Sequence, residues 1–195
     1  MNNCIFSASC IESICDKSCP ILSQSSYLLD RNNITLDNSV CHMEDAVSCN
    51  IQQFIETKQD DRLIAIKVAK TNVKAAQITY GYILKHWKGS QLHCSVYMLK
   101  FQRYMDLVQR SWALKSEPSE LQYMKIFMDS CKVLVVSGLD FIMFKDFQSQ
   151  LLLTLIQDRD EIGKQTVLVL PKSELQGEGT FFSILKGQIE KVVKS

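Results

Sequence analysis

Residues 128–171 read MDSCKVLVVSGLDFIMFKDFQSQLLLTLIQDRDEIGKQTVLVLP, and this stretch decides the fold class. Lys132–Val136 (KVLVV) is nearly all apolar, the composition of a strand buried on both faces. Asp146–Glu161 then sets Phe147, Leu151, Leu152, Leu155 and Ile156 at helical spacing, and Gly163 closes the helix. Thr166–Leu170 (TVLVL) is a second strand with no polar face. Two strands of this kind joined through an amphipathic helix are expected to pair in parallel.

The alternation extends in both directions. Upstream, Leu63–Val68 (LIAIKV) is a short strand bounded by charge. Lys74–Trp87 is a helix with Ile78, Tyr82, Ile83 and Trp87 on its apolar side, ended by Gly89-Ser90. His93–Leu99 is the next strand. Phe101–Leu114 is a helix whose apolar face is Tyr104, Met105, Leu107, Val108 and Trp112, and Glu117–Met128 is a helix opened by Pro118 in its first turn. Downstream, Phe181–Val193 is the last helix. The expected architecture is α/β, a parallel sheet with helices on both faces. Ligands of such sheets bind beyond the strand C-termini, here Ala69–Ala76, Lys100–Gln102, Ser137–Asp140 and Pro171–Glu174. Three parts are expected: a Cys-rich segment, 1–26; an entry segment, 27–61, with a helix across Met43–Thr57; and the core, 62–195.

At 195 residues, 46% hydrophobic and 22% charged, the chain fits one domain with a small appendage, and collagen-like, low-complexity and disordered classes are excluded. No apolar run approaches about 18 residues, so no membrane helix or membrane partner is expected. Residues 1–20 lack a basic start and a continuous apolar stretch, so no signal peptide is expected. The Cys are then read as reduced thiols in a cytoplasmic protein. Of the seven Gly, none precedes Gly81. Net charge is −6 over residues 1–61, +9 over 62–115 and −2 over 116–195.

Taken together, "LLDRNNI" at 28–34, "LIAIKV" at 63–68 and the 128–171 run are similar in order and pattern to the AAA+ domain of bacterial replicative helicase loaders of the DnaC/DnaI type. The likeness covers residues 28–187 and is one of pattern rather than identity. It implies a P-loop (AAA+/RecA-like) core, and partners among replicative helicases, intact AAA+ loader-like ATPases and single-stranded DNA. The family's catalytic residues do not carry over. A phosphate loop needs G-x-x-x-x-G-K-[ST], so that backbone N–H groups approach the phosphates and a hydroxyl holds Mg²⁺. The corresponding segment is Val68-Ala69-Lys70-Thr71-Asn72-Val73-Lys74-Ala75, with Lys74 at the Lys position, Ala75 at the Ser/Thr position and Val at both Gly positions. The two acidic residues expected after the third core strand are Ser137-Gly138, with Asp140 following late. The polar sensor falls at Leu170-Pro171. Ser183-Ile184-Leu185 has Ile where the family carries a trigger Arg. These departures weigh against ATP. They imply a pseudo-ATPase: a replication accessory protein, of a size that suits a phage or other mobile element, that binds a helicase or an intact ATPase at DNA. The rivals are a divergent ATPase using Lys74 and Asp140, and an inhibitor of host replication proteins.

Cys4, Cys10, Cys15 and Cys19 form C-x5-C-x4-C-x3-C, followed by Pro20. Four thiolates so close in sequence can converge on one tetrahedral zinc, whose binding would order a segment too polar to fold by itself. The C-x3-C-P ending leaves an iron–sulfur cluster as the alternative. Cys41 and His42 are alternative ligands, and Cys49, Cys94 and Cys131 are read as ordinary small residues.

The +9 stretch places Lys70, Lys74, Lys100 and Arg103 on or near the rim, with Tyr80, Tyr82, Trp87, Tyr97, Phe101, Tyr104 and Trp112 interleaved. Basic groups with exposed aromatics suit single-stranded nucleic acid. Most of these aromatics sit at core spacing, however, and helical Lys is ordinarily solvated.

Overall fold

The computed structural model of the protein describes residues 31–32, 52–58, 60–87, 96–140 and 142–194. The Cys4–Cys19 set, Cys41, His42, Cys49, His93, Cys94 and most of the entry segment lie outside the described residues. In chain order the elements are α1 (Gln52–Thr57), β1 (Leu63–Val68), α2 (Thr71–Trp87), β2 (Val96–Lys100), α3 (Phe101–Leu114), α4 (Ser119–Ser130), β3 (Val133–Ser137), β4 (Met143–Phe144), α5 (Asp146–Glu161), β5 (Gln165–Pro171), β6 (Gln176–Gly177) and α6 (Thr180–Lys194).

Four strands form one sheet in the order β1-β5-β3-β2, every pair parallel. The register is Leu63 opposite Thr166, Val133 opposite Gln165 and Val96 opposite Val133. The central strands β3 and β5 are buried at every residue, which is why their sequences show no polar alternation. Alternate residues point to two cores. Val96, Met98, Val133, Val135, Val167 and Val169 face α1 and α2, packing on Ile55, Ala75, Ile78 and Tyr82. Leu99, Leu134, Val136, Leu168 and Leu170 face α3 to α6. Burial of each such aliphatic side chain contributes about 1.5–3 kcal/mol. Helices therefore cover both faces.

Helix boundaries follow local chemistry. Lys115 closes α3 in the left-handed region, at φ 51°, and its N–H bonds to the carbonyl of Trp112. Pro118 is the residue before α4 rather than inside its first turn. At the start of α5, Gln148 Oε1 accepts the Lys145 N–H at 3.1 Å. Gly163, at φ 72°, ends α5, and its N–H reaches Asp160 O at 2.9 Å. β4 and β6 form a separate two-stranded parallel pair that joins the loop after β3 to the loop after β5. No described helix is long and apolar enough to cross a membrane.

The opposite, N-terminal end of the sheet is fastened by Arg159, which is 3% exposed. Its guanidinium donates to the carbonyls of Met128 (2.6 Å), Gln165 (2.9 Å), Lys132 (3.2 Å) and Cys131 (3.3 Å), and to Thr166 Oγ1 (3.2 Å). Gln165 extends the network, accepting from Tyr82 Oη at 2.6 Å and donating to Lys58 O and Asp61 O, each at 2.7 Å.

Candidate functional site

The C-terminal ends of β1, β3 and β5 meet where the chain order within the sheet reverses, the position at which open α/β sheets hold ligands. β1 stops at Val68 and α2 starts at Thr71, so Ala69 and Lys70 alone connect them. The Lys70 carbonyl accepts the Lys74 N–H at 3.0 Å, the first hydrogen bond of the helix. Thr71 thus stands in the first turn, 4% exposed, and its hydroxyl donates to Asp140 Oδ2 at 3.1 Å. Asp140 Oδ1 is buried and has no hydrogen-bond partner among the described residues. The pair puts a carboxylate near the positive end of the helix dipole, the place where phosphate-binding folds receive an anion. A groove of about 260 Å³ opens beside it, lined by Leu139, Asp140, Met143, Pro171 and Ser173.

The residues singled out from sequence at this rim fall into different surroundings. Asp140 is in the pair with Thr71. Lys74 lies one turn into α2 and lines a groove along β1. Ala75 is fully buried in the α2 core. Ser137 is buried, and its hydroxyl donates to Leu99 O at 3.5 Å, fastening β3 to β2 rather than facing a ligand. Gly138 has φ 74°, a backbone conformation that favours glycine where the chain turns off β3. Thr71 was absent from the expected set. Its signal is positional: a hydroxyl residue opening the helix that follows the first core strand.

The four basic residues expected to meet DNA divide between the two sheet edges. Lys70 follows β1, and Lys74 lies in α2 behind it. Lys100 ends β2, and Arg103 is in the first turn of α3. Three strand spacings separate β1 from β2, about 14 Å. Arg103 is already engaged: its Nε and Nη2 donate to the two carboxylate oxygens of Glu120 at 2.9 and 2.6 Å. That hydrogen bonding, followed by the attraction of opposite charges, raises the Arg103 pKa; the hydrogen bond to Arg103 lowers that of Glu120. Tyr80, Tyr82, Tyr97, Phe101 and Tyr104 are buried, whereas Trp112 and Tyr123 are exposed.

A groove of about 460 Å³ beside β2 is lined by Tyr97, Lys100, Arg103, Glu120, Tyr123 and Phe127. Asn32 is fully buried, and its Oδ1 accepts the Met98 N–H at 2.7 Å, covering the β2 edge. Arg31 lies over the Phe127 ring at 4.0 Å, with the Tyr97 ring at 5.7 Å. Arg31 and Asn32 of the entry segment thus dock on and beside β2, a contact with no sequence signal beyond the residue types.

No family model matches the chain, and no curated protein or solved structure matches it. Among the described residues, no three His, Cys, Asp or Glu side chains converge as metal ligands. Cys131 is a buried thiol whose pKa is raised, chiefly by burial, with Arg159 opposing.

Proposed function

We propose that the chain is a non-catalytic protein of P-loop (AAA+/RecA-like) architecture. In this reading it acts as a helicase-loader-like accessory of DNA replication, binding a replicative helicase or an intact AAA+ loader-like ATPase at DNA. The observation that carries the reading is the short β1–α2 connection. In G-x-x-x-x-G-K-[ST] the run from the first Gly to the Lys wraps the phosphates and lies outside the strand. Counted back from Lys70, that run is Ile64–Ala69, and Ile64–Val68 belong to the β1 ladder. Counted back from Lys74 it is Val68–Val73, and Thr71–Val73 are already helix. Neither count leaves a loop, and neither contains Gly. The P-loop class is further supported by strand order. The fourth strand of the sheet in chain order, β5, lies between β1 and β3, the place of the fourth strand in AAA+/RecA-like sheets.

One observation favours a second reading, a divergent ATPase. Lys70-Thr71 opens α2 with the Thr71 hydroxyl on Asp140, the residue types with which P-loop enzymes hold phosphate and Mg²⁺. Turnover by the purified full chain separates the two. The proposal expects no Mg²⁺-dependent ATP hydrolysis, together with capture of a hexameric helicase or a loader-like ATPase from native cells. Hydrolysis lost in Lys70→Ala or Lys74→Ala would reverse it. Binding to such partners that blocks helicase loading would make the chain an inhibitor instead. Zinc on Cys4, Cys10, Cys15 and Cys19, with the iron–sulfur alternative, remains part of the proposal on sequence grounds. Metal analysis against Cys15→Ser tests it, and a metal-free folded N-terminus removes it.

A further inference from the structure

β1 is an edge strand, and its outer edge is unpaired among the described residues. Which groups face outward follows from two hydrogen bonds. Arg62 O accepts from Thr166 N at 2.8 Å, and Val68 O accepts from Lys172 N at 3.1 Å. In a parallel ladder both backbone groups of one residue point to the same neighbour, and successive residues alternate. Ile64, Ile66 and Val68 therefore face β5. The N–H and C=O groups of Leu63, Ala65 and Lys67 face away from the sheet.

A groove lies on each side of this edge. On the α2 side, about 380 Å³ is lined by Phe54, Ile66, Val68, Lys74, Ile78 and Val193. On the α6 side, about 260 Å³ is lined by Leu170, Pro171, Leu175, Ile189 and Val193. Lys67 borders both. A strand sends successive side chains to opposite faces, so a strand added to β1 would place alternate side chains in the two grooves. The polar surroundings are mainly basic. Lys67, Lys70, Lys74 and Lys172 gather toward the C-terminal end of β1, and none of them makes an ion pair among the described residues. On the α6 side Glu174 is taken by Lys186 at 3.1 Å, leaving Glu190 as the other acid of that groove.

We propose that the outer edge of β1 is a docking site for one extended strand of a partner polypeptide, with apolar side chains at alternate positions and a carboxylate beside Lys67 and Lys74. Backbone pairing supplies affinity in this mode, and the flanking pockets supply selectivity. A second copy of this chain is the poorer occupant. In a two-fold pair centred on Ala65, each Lys67 would face Leu63 of the other copy, and Asp61 is already engaged with Lys58 at 3.1 Å. A Lys on an open edge is a device that discourages such self-pairing. The proposal is independent of the nucleotide-site reading, because β1 needs no loader function to accept a strand.

The test uses the full chain and a fluorescent peptide of about ten residues, alternating Val and Thr with Glu at each end. Saturable binding is expected, with protection from hydrogen exchange appearing at the amides of Leu63, Ala65 and Lys67. Ala65→Pro removes one outward N–H at a position where an edge strand accepts Pro, and Lys67→Glu reverses the local charge. Each is expected to weaken binding roughly tenfold. The same peptide N-methylated at alternate amides should not bind, a control that leaves the protein untouched should Ala65→Pro fail to fold. The proposal is overturned if the peptide does not bind, or if the N-methylated peptide binds equally well. It is also overturned if those three amides are already protected in the free chain, whether by its own residues or in a dimer.

Discussion

The Thr71 hydroxyl donates to Asp140 Oδ2 at 3.1 Å, joining the first turn of α2 to the loop that leaves β3. The other carboxylate oxygen is buried and unpartnered, so Thr71 is the sole hydrogen-bond donor to this group among the described residues. Replacing Thr71 by the isosteric Val leaves the carboxylate without a donor. The expected cost is about 2 kcal/mol of unfolding free energy. Asp140→Asn removes the charge but keeps an acceptor, and should cost less. The double variant should cost less than the sum of the singles, because both remove the same contact. Urea unfolding of the four proteins measures this, and additive costs would mean that the pair is not coupled.

Arg159 makes the second prediction. Its guanidinium serves four carbonyls and one hydroxyl at the ends of α4, β3 and β5. Arg159→Met fills similar space and leaves these acceptors unserved, with an expected loss of about 3 kcal/mol or more. Arg159→Lys retains the charge, but an ammonium cannot span partners placed around a planar fork. It should recover less than half of the loss. Denaturant midpoints of the two variants check the order.

The same residue marks where sequence reading stops. On the helical pattern of Asp146–Glu161, Arg159 follows Leu152, Leu155 and Ile156 onto the apolar side, but nothing local indicates that carbonyls from the ends of α4, β3 and β5 converge on it. The central strands were legible because burial on both faces imposes an apolar composition that Lys132–Val136 and Thr166–Leu170 carry openly. The bounds of α3 and α5 are legible, set by the Phe101–Leu114 apolar stripe and by Gly163 after the second helix, although Trp112, expected on the inward face of α3, is exposed and packs on the Phe147 ring. The start of α2 is not legible. Thr71-Asn72-Val73 adds no apolar periodicity, so the helix was expected from Lys74, whereas it begins at Thr71. A helix read from Lys74 leaves Thr71 in the connection and puts Lys74, not Lys70, at the Lys position of the phosphate loop. β4 and β6 have two residues each, too short for any period to register.

Gly177 tests that short ladder. A Cβ at this position would stand 2.5 Å from Phe144 O and 2.6 Å from the Phe182 ring. The first is backbone and cannot yield without moving β4. Gly177→Ala should therefore disrupt the β4–β6 pair and cost about 1–3 kcal/mol. The neighbouring Gly187→Ala has open space within 4 Å and is expected to be nearly neutral or stabilising. Thermal unfolding of the two variants distinguishes a local clash from a general effect of losing glycine.

Alkaline pH should unfold the protein through its buried tyrosines. Burial raises the Tyr82 pKa from 10.0 to about 12, and raises those of Tyr97 and Tyr104 for the same leading reason. The folded state then holds protons that the unfolded state releases. The stabilisation is complete below pH 10, and it declines as pH rises from about 10 through about 12. Tyr82→Phe removes this ionisation and should flatten the alkaline limb. At neutral pH it should cost about 1 kcal/mol, through the lost 2.6 Å bond to Gln165. A denaturant series across the alkaline range, followed by tyrosinate absorbance, measures both effects. An unchanged limb in Tyr82→Phe would assign the loss to Tyr97 or Tyr104.

Single-stranded DNA, if it follows the rim, should depend on Lys100 more than on Arg103. Lys100 is exposed and makes no ion pair among the described residues, whereas the Nε–Nη2 edge of Arg103 is occupied by both carboxylate oxygens of Glu120. Each phosphate contact to a single strand contributes about 0.7 to the slope of log K against log salt. Lys100→Ala is expected to reduce the slope by about that amount, and Arg103→Ala by less. Glu120→Gln removes the competing carboxylate and should do the reverse, raising affinity and steepening the slope as the guanidinium becomes available. The variant also removes a negative charge, so the gain is assigned to the freed guanidinium only if adding Arg103→Ala abolishes it. Unchanged binding in both Lys100→Ala and Glu120→Gln would move any nucleic-acid contact away from the β2 end of the sheet.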